Sequence, residues 1–331
     1  MGRREQLVRL ALLVLVVGVI ATLMVLDRGR NDDRPETQPS DTPSVSPPTE
    51  STPTDVTVPE PVPEKAGATD KIPTPPPGLE DIVCRKLQES VRIRVMSFNT
   101  HRSFGSNGLA RVAAEIRALE PDIVLLQEID RFYGRTGRVD QAAWFANTLG
   151  MEHTFGANVV QGPGQYGTAI LSRFPIVDST SIRLVNGRGG EQRGLLGATL
   201  EIGGRFVNVY NTHLQNKLVG LREAQARQIA GILAQDDELK ILGGDMNATI
   251  NTPTLGAFRS QLVDSWSAAG VGPSGTGPGG SKIDFLLASP ELEPVTSRVY
   301  GSAVSDHNRL VTDYVVPAST ECPKARSGKK G

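Results

Sequence analysis

Apolar and polar positions along residues 81–317 predict strands and helices in mixed order. Residues 91–96 alternate as a half-buried strand does, whereas residues 109–119 repeat apolar side chains at helical spacing. The pattern predicts strands at 91–96, 123–126, 168–172, 195–202, 205–210, 239–242, 283–287 and 310–316, and helices at 109–119, 141–149 and 221–233. This order favours an α/β sandwich in which two packed mixed β-sheets are flanked by helices.

Polar side chains follow several of these predicted strands directly. One acidic residue after a strand is usually a turn or cap residue. Here the loops at several strand ends can converge on one rim of a sandwich, and their side chains offer oxygen or nitrogen ligands. The pattern therefore predicts a polar site built from Asn99, Glu128, His213, Asp245 and Asn247.

The N-terminal segment contains an apolar run at residues 10–26, which follows Arg3, Arg4 and Arg9. As a helix it would be roughly 25 Å long, near the lower limit for crossing a bilayer. We interpret residues 1–9 as a cytoplasmic tail and residues 10–26 as an uncleaved transmembrane anchor. A cleaved signal peptide is the alternative, although the sequence after the run matches a small-x-small cleavage site poorly.

Residues 27–80 have the composition of a disordered Pro/Thr/Ser-rich linker. The stretch 31–80 holds 13 of the 23 prolines and no aromatic residue, so it cannot bury enough surface to offset its chain entropy. Such stalks suit an exported domain held away from a membrane; a proteolysis-sensitive internal tether is the alternative. We therefore expect a single-pass cell-membrane protein with an extracytoplasmic C-terminal domain, which ends in a basic flexible tail at 318–331.

Charge and cysteine content narrow the functional classes. The chain has 35 Lys and Arg against 36 Asp and Glu, which argues against a dedicated nucleic-acid coat protein. Two cysteines exclude a disulfide-dense scaffold and a four-thiolate zinc site. Cys84 and Cys322 bracket the folded body and form a candidate disulfide if the domain is exported. Two unrelated thiols are the alternative.

Seven short strings together resemble the endonuclease/exonuclease/phosphatase superfamily of deoxyribonuclease-like, metal-dependent phosphoesterases. The resemblance covers residues 91–316, and the strings occur in the family's order. It implies a four-layered α/β sandwich and a catalytic domain at 81–317. The strings are MSFN (96–99), LQE (126–128), YGTAILSR (166–173), THL (212–214), GDMN (244–247), IDF (283–285) and SDH (305–307).

The resemblance implies roles for individual residues. Asn99, Glu128 and Asp306 are the expected metal ligands. The expected ion is Mg²⁺, or alternatively Mn²⁺, because hard cations prefer oxygen ligands. Phosphate contacts fall to Arg193, Asn247 and His307, although Arg193 pairing only with Glu191 is an alternative. Asp284 is expected to fix the tautomer of His307. The residues assigned to catalysis are His213, Asp245, Asn247, Asp284 and His307.

The expected function is that of a membrane-anchored, extracytoplasmic, Mg²⁺-dependent phosphoesterase. It would hydrolyse a phosphodiester or phosphomonoester by metal-assisted attack of water, on a lipid head group, a small phosphodiester or nucleic acid. A surface deoxyribonuclease is the first alternative, favoured if Arg131, Arg135 and Arg138 line the cleft. A catalytically silent binding module on a stalk is the second. The glycine-rich segment 270–280 is expected to be mobile. No protein partner can be inferred from the sequence.

Overall fold

Residues 90–103 and 108–318, which the computed structural model describes, contain two six-stranded sheets packed face to face. The first sheet has the order β11-β12-β1-β2-β4-β3 and the second has the order β5-β6-β7-β8-β10-β9. The strands are β1 Val91–Asn99, β2 Ile123–Arg131, β3 Glu152–Gln161, β4 Gly164–Ser172, β5 Ile176–Arg183, β6 Gly194–Ile202, β7 Arg205–His213, β8 Leu239–Asp245, β9 Val263–Asp264, β10 Asp284–Ala288, β11 Glu293–Tyr300 and β12 Arg309–Val316. The α-helices are α1 Gly108–Arg117, α2 Gln141–Leu149, α3 Val219–Leu233, α4 Pro253–Gly256 and α5 Ser265–Ala269.

Each sheet combines parallel and antiparallel pairs. β1 pairs in parallel with β2, and β7 pairs in parallel with β8, while the other pairs are antiparallel. A parallel pair needs a crossover connection, which α1 supplies between β1 and β2 and α3 supplies between β7 and β8. Four predicted site residues lie at or near the carboxyl ends of these strands: Asn99, Glu128, His213 and Asp245.

Three hydrophobic clusters pack the layers of the sandwich together. The cluster between the sheets draws on both of them, with side chains such as Ile93, Leu125, Val209 and Leu286. On the outer face of the first sheet, α1 and α2 cover a cluster that includes Phe98 and Phe145. On the outer face of the second sheet, α3 covers a cluster that includes Ile229 and Leu242. The predicted α/β sandwich with flanking helices is confirmed.

Helix and hairpin boundaries follow from local chemistry. Asp140 caps α2 because its side chain accepts a hydrogen bond from the backbone of Ala143, and Gly150 ends the helix at a φ of 67°. Gly203 and Gly204 join β6 to β7 with φ values of 58° and 80°. Both glycines adopt the left-handed backbone that a tight hairpin turn requires, so the predicted hairpin is confirmed.

The sequence pattern did not predict β3, β5, β9 and β11, which are the edge strands of the two sheets. Most side chains of β5 are exposed, and β11 alternates only in part. An edge strand needs fewer apolar side chains than a central one because one of its sides carries no neighbouring strand. Periodicity therefore identified the eight central strands and no others.

A buried amide network joins the two sheets next to the polar rim. Asn211 of β7 donates hydrogen bonds to the backbone carbonyls of Leu126 and Ala169 in the first sheet, at 2.9 and 2.8 Å. Its carbonyl oxygen accepts a hydrogen bond from Gln127 at 2.8 Å. Because unsatisfied buried amides are costly, this network favours one relative placement of the sheets. Gln127 lies directly before Glu128, so the network also positions the rim.

Several predictions concern segments outside the described residues. The anchor at 10–26, the linker at 27–80, the tail beyond residue 318 and the candidate disulfide between Cys84 and Cys322 all lie there. In the part of the chain that the structure describes, no helix combines the length and apolarity needed to span a membrane.

Candidate active site

The polar residues that follow the parallel strands meet at one pocket of about 520 Å³. Two predicted residues, Asn99 and Asp284, are buried and bonded to pocket residues. The predicted residues that line the pocket are Glu128, Arg193, His213, Asp245, Asn247, Asp306 and His307. The structure thus brings together every site residue predicted within the described range.

Two of these residues have left-handed backbone conformations. Glu128 has a φ of 59° and Asn247 has a φ of 49°. Glu128 lies where the register between β2 and β4 shifts, so an irregularity in the strand redirects its side chain. Such conformations cost about 1–3 kcal/mol each and cluster at functional sites. The strained backbone at Glu128 and Asn247 therefore directs these two side chains towards the pocket.

Asp245 lies at the centre of the site and is 2% exposed. Its Oδ2 accepts a hydrogen bond from Asn99 Nδ2 at 3.1 Å, and its Oδ1 accepts one from the backbone of Asn247 at 2.9 Å. The same Oδ2 lies 3.4 Å from His213 Nε2 and 3.7 Å from His307 Nε2. Burial raises the pKa of the Asp245 carboxyl to about 7, with a further contribution from the negative charge of Asp284.

The two histidines beside Asp245 have opposite electrostatic environments. His307 Nδ1 lies 2.9 Å from Asp284 Oδ2. Burial opposes the charged imidazolium, but the hydrogen bond and charge of Asp284 outweigh it and raise the pKa of His307 to about 9. For His213, burial lowers the pKa well below its usual value, helped by the charges of Arg193 and His307. The site therefore holds a cationic and a neutral imidazole side by side at neutral pH.

Thr276 anchors the glycine-rich segment 270–280 beside Asp284 and His307. Its buried Oγ1 accepts hydrogen bonds from the backbone of Ile283 at 3.1 Å and of Asp284 at 2.9 Å. Its carbonyl accepts another from the backbone of Asn308, the residue after His307. The expectation of a mobile segment overlooked this anchor, because glycine content does not reveal a buried hydroxyl.

The comparison with known sequences agrees with this geometry. A profile of the Endonuclease/Exonuclease/phosphatase family matches residues 96–307, which is more than half of the chain. The chain belongs to this family. Its members are hydrolases that act on phosphoester bonds.

Individual relatives in the family are distant. Protein YbhP of Escherichia coli K12 is 28% identical over 173 residues, which cover 46% of this chain and 66% of YbhP. Sphingomyelinase C of Bacillus cereus is 26% identical over 181 residues, which cover 47% of this chain and 54% of that enzyme. The chain thus spans less than two thirds of either relative. A crystal structure of an endonuclease/exonuclease/phosphatase from Beutenbergia cavernae superposes with a TM-score of 0.60 at 25% identity, covering 68% of this chain and 72% of that one.

The donor set fits a hard divalent cation. Glu128 and Asp245 present carboxylates to one pocket, and Asp284 Oδ1 is buried with no hydrogen-bond partner among the described residues. One ligand atom each from Asp245, Asp284 and His307 lies within 4.8 Å of the others. His307 Nδ1 already bonds Asp284, whereas Glu128 also presents a carboxylate to the pocket, so cation ligation by Glu128 stays a prediction beside this trio.

Two predicted cation ligands have other partners here. Asn99 turns Nδ2 towards Glu128 Oε1 at 3.4 Å, while its Oδ1 accepts a hydrogen bond from the backbone of His101. Asp306 is half-exposed and lies 3.3 Å from His101 Nδ1. Asn99 therefore orients the carboxylates of Glu128 and Asp245 through its Nδ2. Cation ligation by Asn99 or by Asp306 stays a prediction.

Arg193 pairs with Glu191 and also lies at the pocket, and its contact with phosphate stays a prediction. Its side chain is 5% exposed and lies 3.0 Å from Glu191 Oε1, yet it also lines the pocket. Its Nε is buried and makes no hydrogen bond among the described residues. Pairing with Glu191 thus holds the guanidinium at the pocket and does not remove it from the site.

Sequence reasoning missed several further pocket residues, among them Arg102, Tyr166 and Asn216. Tyr166 opens the string YGTAILSR that carried part of the resemblance, and that string could have identified it. Arg102 lies in a turn after β1 and Asn216 in a loop after β7, where no periodicity applies. Their presence in the pocket depends on loop conformation.

Proposed function

We propose that the chain is a membrane-anchored, extracytoplasmic phosphoesterase that uses Mg²⁺, with Mn²⁺ as a substitute, to hydrolyse a phosphodiester or phosphomonoester. The observation that supports it most directly is the trio of Asp245, Asp284 and His307 next to Glu128 in one pocket. The apolar run at 10–26 and the proline-rich linker support the membrane location.

The side chains divide the reaction between them. Asp245 accepts a proton from the attacking water as the water oxygen bonds to phosphorus and the bond between phosphorus and the alcohol oxygen breaks, and the released alkoxide takes a proton from solvent. A carboxyl pKa of about 7 suits this proton exchange near neutral pH. Asn247 is oriented by the carbonyl of Leu214, which accepts its Nδ2–H at 3.0 Å, and holds a phosphoryl oxygen. His307, held by Asp284, places a positive charge on the phosphate. Glu128 would hold the divalent cation, which when bound would supply further positive charge to the phosphoryl oxygens.

The size and charges of the pocket support a compact phosphoester as the substrate class. A pocket of about 520 Å³ accommodates a phosphoryl group with a compact alcohol or head group. Arg102 and Arg193 add positive charge beside the acidic residues. Sphingomyelinase C among the relatives supports a lipid phosphodiester as the first class to test.

A surface nuclease remains the second candidate. Of the three arginines on which that function depends, Arg135 lines the pocket, but it is held by two hydrogen bonds to Asp130 at 2.8 and 2.7 Å. Arg131 lies over the rings of Phe132 and Phe155. Two arginines with such partners offer little to a duplex backbone, so the geometry favours a compact substrate.

Hydrolysis by the purified full-length chain in detergent tests the proposal. The substrates are sphingomyelin, bis-p-nitrophenyl phosphate, p-nitrophenyl phosphate, inositol phosphates and plasmid DNA, each with Mg²⁺, with Mn²⁺ and with EDTA. We expect cation-dependent cleavage of a lipid or small phosphoester in preference to DNA. Cleavage of DNA alone would establish the nuclease, and no cleavage with either cation would contradict the proposed function.

Glu128→Gln provides the residue-level test. It removes one negative charge from the cation site, so we expect turnover to fall below detection while the melting temperature changes little. Glu238→Gln is the same chemical change at an exposed position remote from the pocket and should leave turnover unchanged. Equal activity of the two variants would remove Glu128 from the site.

A further inference from the structure

The turn after β1 has an unusual backbone. His101, Arg102 and Ser103 have consecutive φ values of 47°, 62° and 53°, and none of them is glycine. A left-handed conformation costs a non-glycine residue roughly 1–2 kcal/mol, so three in a row need compensation from their contacts. The side chains show what this turn achieves.

The turn places two basic side chains against two acidic residues of the pocket. Arg102 Nε lies 3.1 Å from Glu128 Oε2, and His101 Nδ1 lies 3.3 Å from Asp306 Oδ1. Both carboxylates are predicted cation ligands. The strained backbone thus directs the positive charge of Arg102 at Glu128, where a divalent cation is expected to bind.

Arg102 differs from the other arginines of the pocket in the partner that it has. Arg135 pairs with Asp130 and Arg193 pairs with Glu191, and neither carboxylate is a predicted cation ligand. Arg102 pairs with Glu128, whose other oxygen, Oε1, faces Asn99 Nδ2. A divalent cation that binds Glu128 through Oε2 therefore meets the guanidinium, and two positive charges at one oxygen repel each other.

We propose that Arg102 exchanges partners during the catalytic cycle, leaving Glu128 when a divalent cation binds there and then binding the phosphate of the substrate. The inference rests on the proposed function. The Arg102 side chain is 30% exposed and lines the pocket, so it can reach a phosphate without unfolding its surroundings. Its guanidinium fork suits phosphate oxygens. Cation binding and phosphate binding are then coupled, and each strengthens the other.

Calorimetry on the full-length chain tests this exchange. Mg²⁺ is titrated with and without inorganic phosphate into the wild type, Arg102→Gln and Arg102→Asn, whose asparagine tolerates left-handed backbone. Without phosphate, removing the competing charge should tighten Mg²⁺ binding about fivefold. With Mg²⁺ present, loss of the charge-assisted contact should weaken phosphate binding about tenfold. Arg188→Gln, an exposed arginine on the loop between β5 and β6, should change neither affinity.

Opposite changes in the two affinities support the exchange, because loss of folding would weaken both. Unchanged or weaker Mg²⁺ binding in both Arg102 variants overturns it, as does phosphate affinity equal to that of the wild type. Either of those results leaves the proposed function intact if the wild type still hydrolyses a phosphoester with Mg²⁺. Absence of cation-dependent hydrolysis in the wild type is the separate result that contradicts the proposed function.

Discussion

At the scale of single residues, the charge of Asp245 is held in an environment that opposes it. Burial and the neighbouring carboxylate of Asp284 raise the pKa of Asp245 to about 7. Because this folded-state pKa lies above the usual value of 3.8, stability linked to Asp245 is fully present below pH 3.8 and is lost as the pH rises to about 7. The central carboxylate therefore lowers stability at the pH where it acts.

Replacing this carboxylate should separate stability from activity. At pH 8 we expect Asp245→Asn to raise the free energy of unfolding by about 1–2 kcal/mol, less than the full pKa shift implies because Asn99 loses a charged acceptor. At pH 3 the gain should vanish, and turnover should be lost at both pH values. Urea unfolding of both proteins at pH 3 and pH 8 measures the difference in the free energy of unfolding.

Asp313→Asn serves as the control with the opposite sign. Hydrogen bonds from Arg94 lower the pKa of Asp313, so this variant should be less stable than the wild type at pH 8. A destabilised Asp245→Asn at pH 8 would contradict the account of a strained catalytic carboxylate.

Asp284 should control the protonation of His307. With Asp284→Asn, the hydrogen bond to a carboxylate and the charge of Asp284, which are the two largest contributions that raise the pKa of His307 to about 9, are lost while burial still opposes the charged imidazolium, so this pKa should fall. NMR titration of the imidazole signals measures the change, and the basic limb of the turnover profile should move with it. The signals of the exposed His153 should be identical in both proteins. A His307 pKa that stays near 9 in Asp284→Asn would show that the charges of Asp245 and Asp306 are enough to keep His307 protonated.

At the scale of elements, strand ends and one loop determine the precision of the site. Glu128 lies within a register shift of β2 against β4, and Asp245 ends β8. Asp284 begins β10, where the Thr276 hydroxyl holds its backbone N–H. The glycine-rich segment thus supports the pair of Asp284 and His307, although it carries no charged side chain itself.

Thr276→Val tests this support. Valine keeps the shape but leaves the N–H groups of Ile283 and Asp284 without an acceptor, which should cost about 1–3 kcal/mol and reduce turnover. Thr254→Val is the matched control, since Thr254 Oγ1 is buried with no hydrogen-bond partner among the described residues. This control should keep or increase the melting temperature. Equal stabilities of the two variants would show that Thr276 acts only by packing.

At the scale of the whole molecule, the predicted anchor and linker would determine where the catalytic domain works. The body is close to neutral, with 23 basic and 22 acidic residues between positions 82 and 317, so its overall charge directs it to no particular polyanion. Tethering to a membrane would instead concentrate the pocket near phosphoesters of that surface.

Fractionation of cells tests the predicted location. We expect the full-length chain in the membrane fraction, and a chain lacking residues 1–26 in the soluble fraction of the cytoplasm, because it lacks its export segment. In the full-length chain, added protease should reach the linker from the outer side, and non-reducing peptide mapping should find Cys84 joined to Cys322. A soluble full-length chain, or two free thiols in the exported form, would contradict the predicted topology.

The amino-acid sequence by itself determined the sandwich and most of the polar residues that meet at the pocket. Central strands are buried on both faces and therefore show clear apolar patterns, and short strings at their ends identified residues such as Glu128, Asp245 and His307. Only the tertiary structure decided the edge strands, whose exposed faces relax the pattern, and the protonation of Asp245 and His307, which depends on burial and neighbours. It also decided the contact of Arg102 with Glu128, because a left-handed turn without glycine has no signature in sequence.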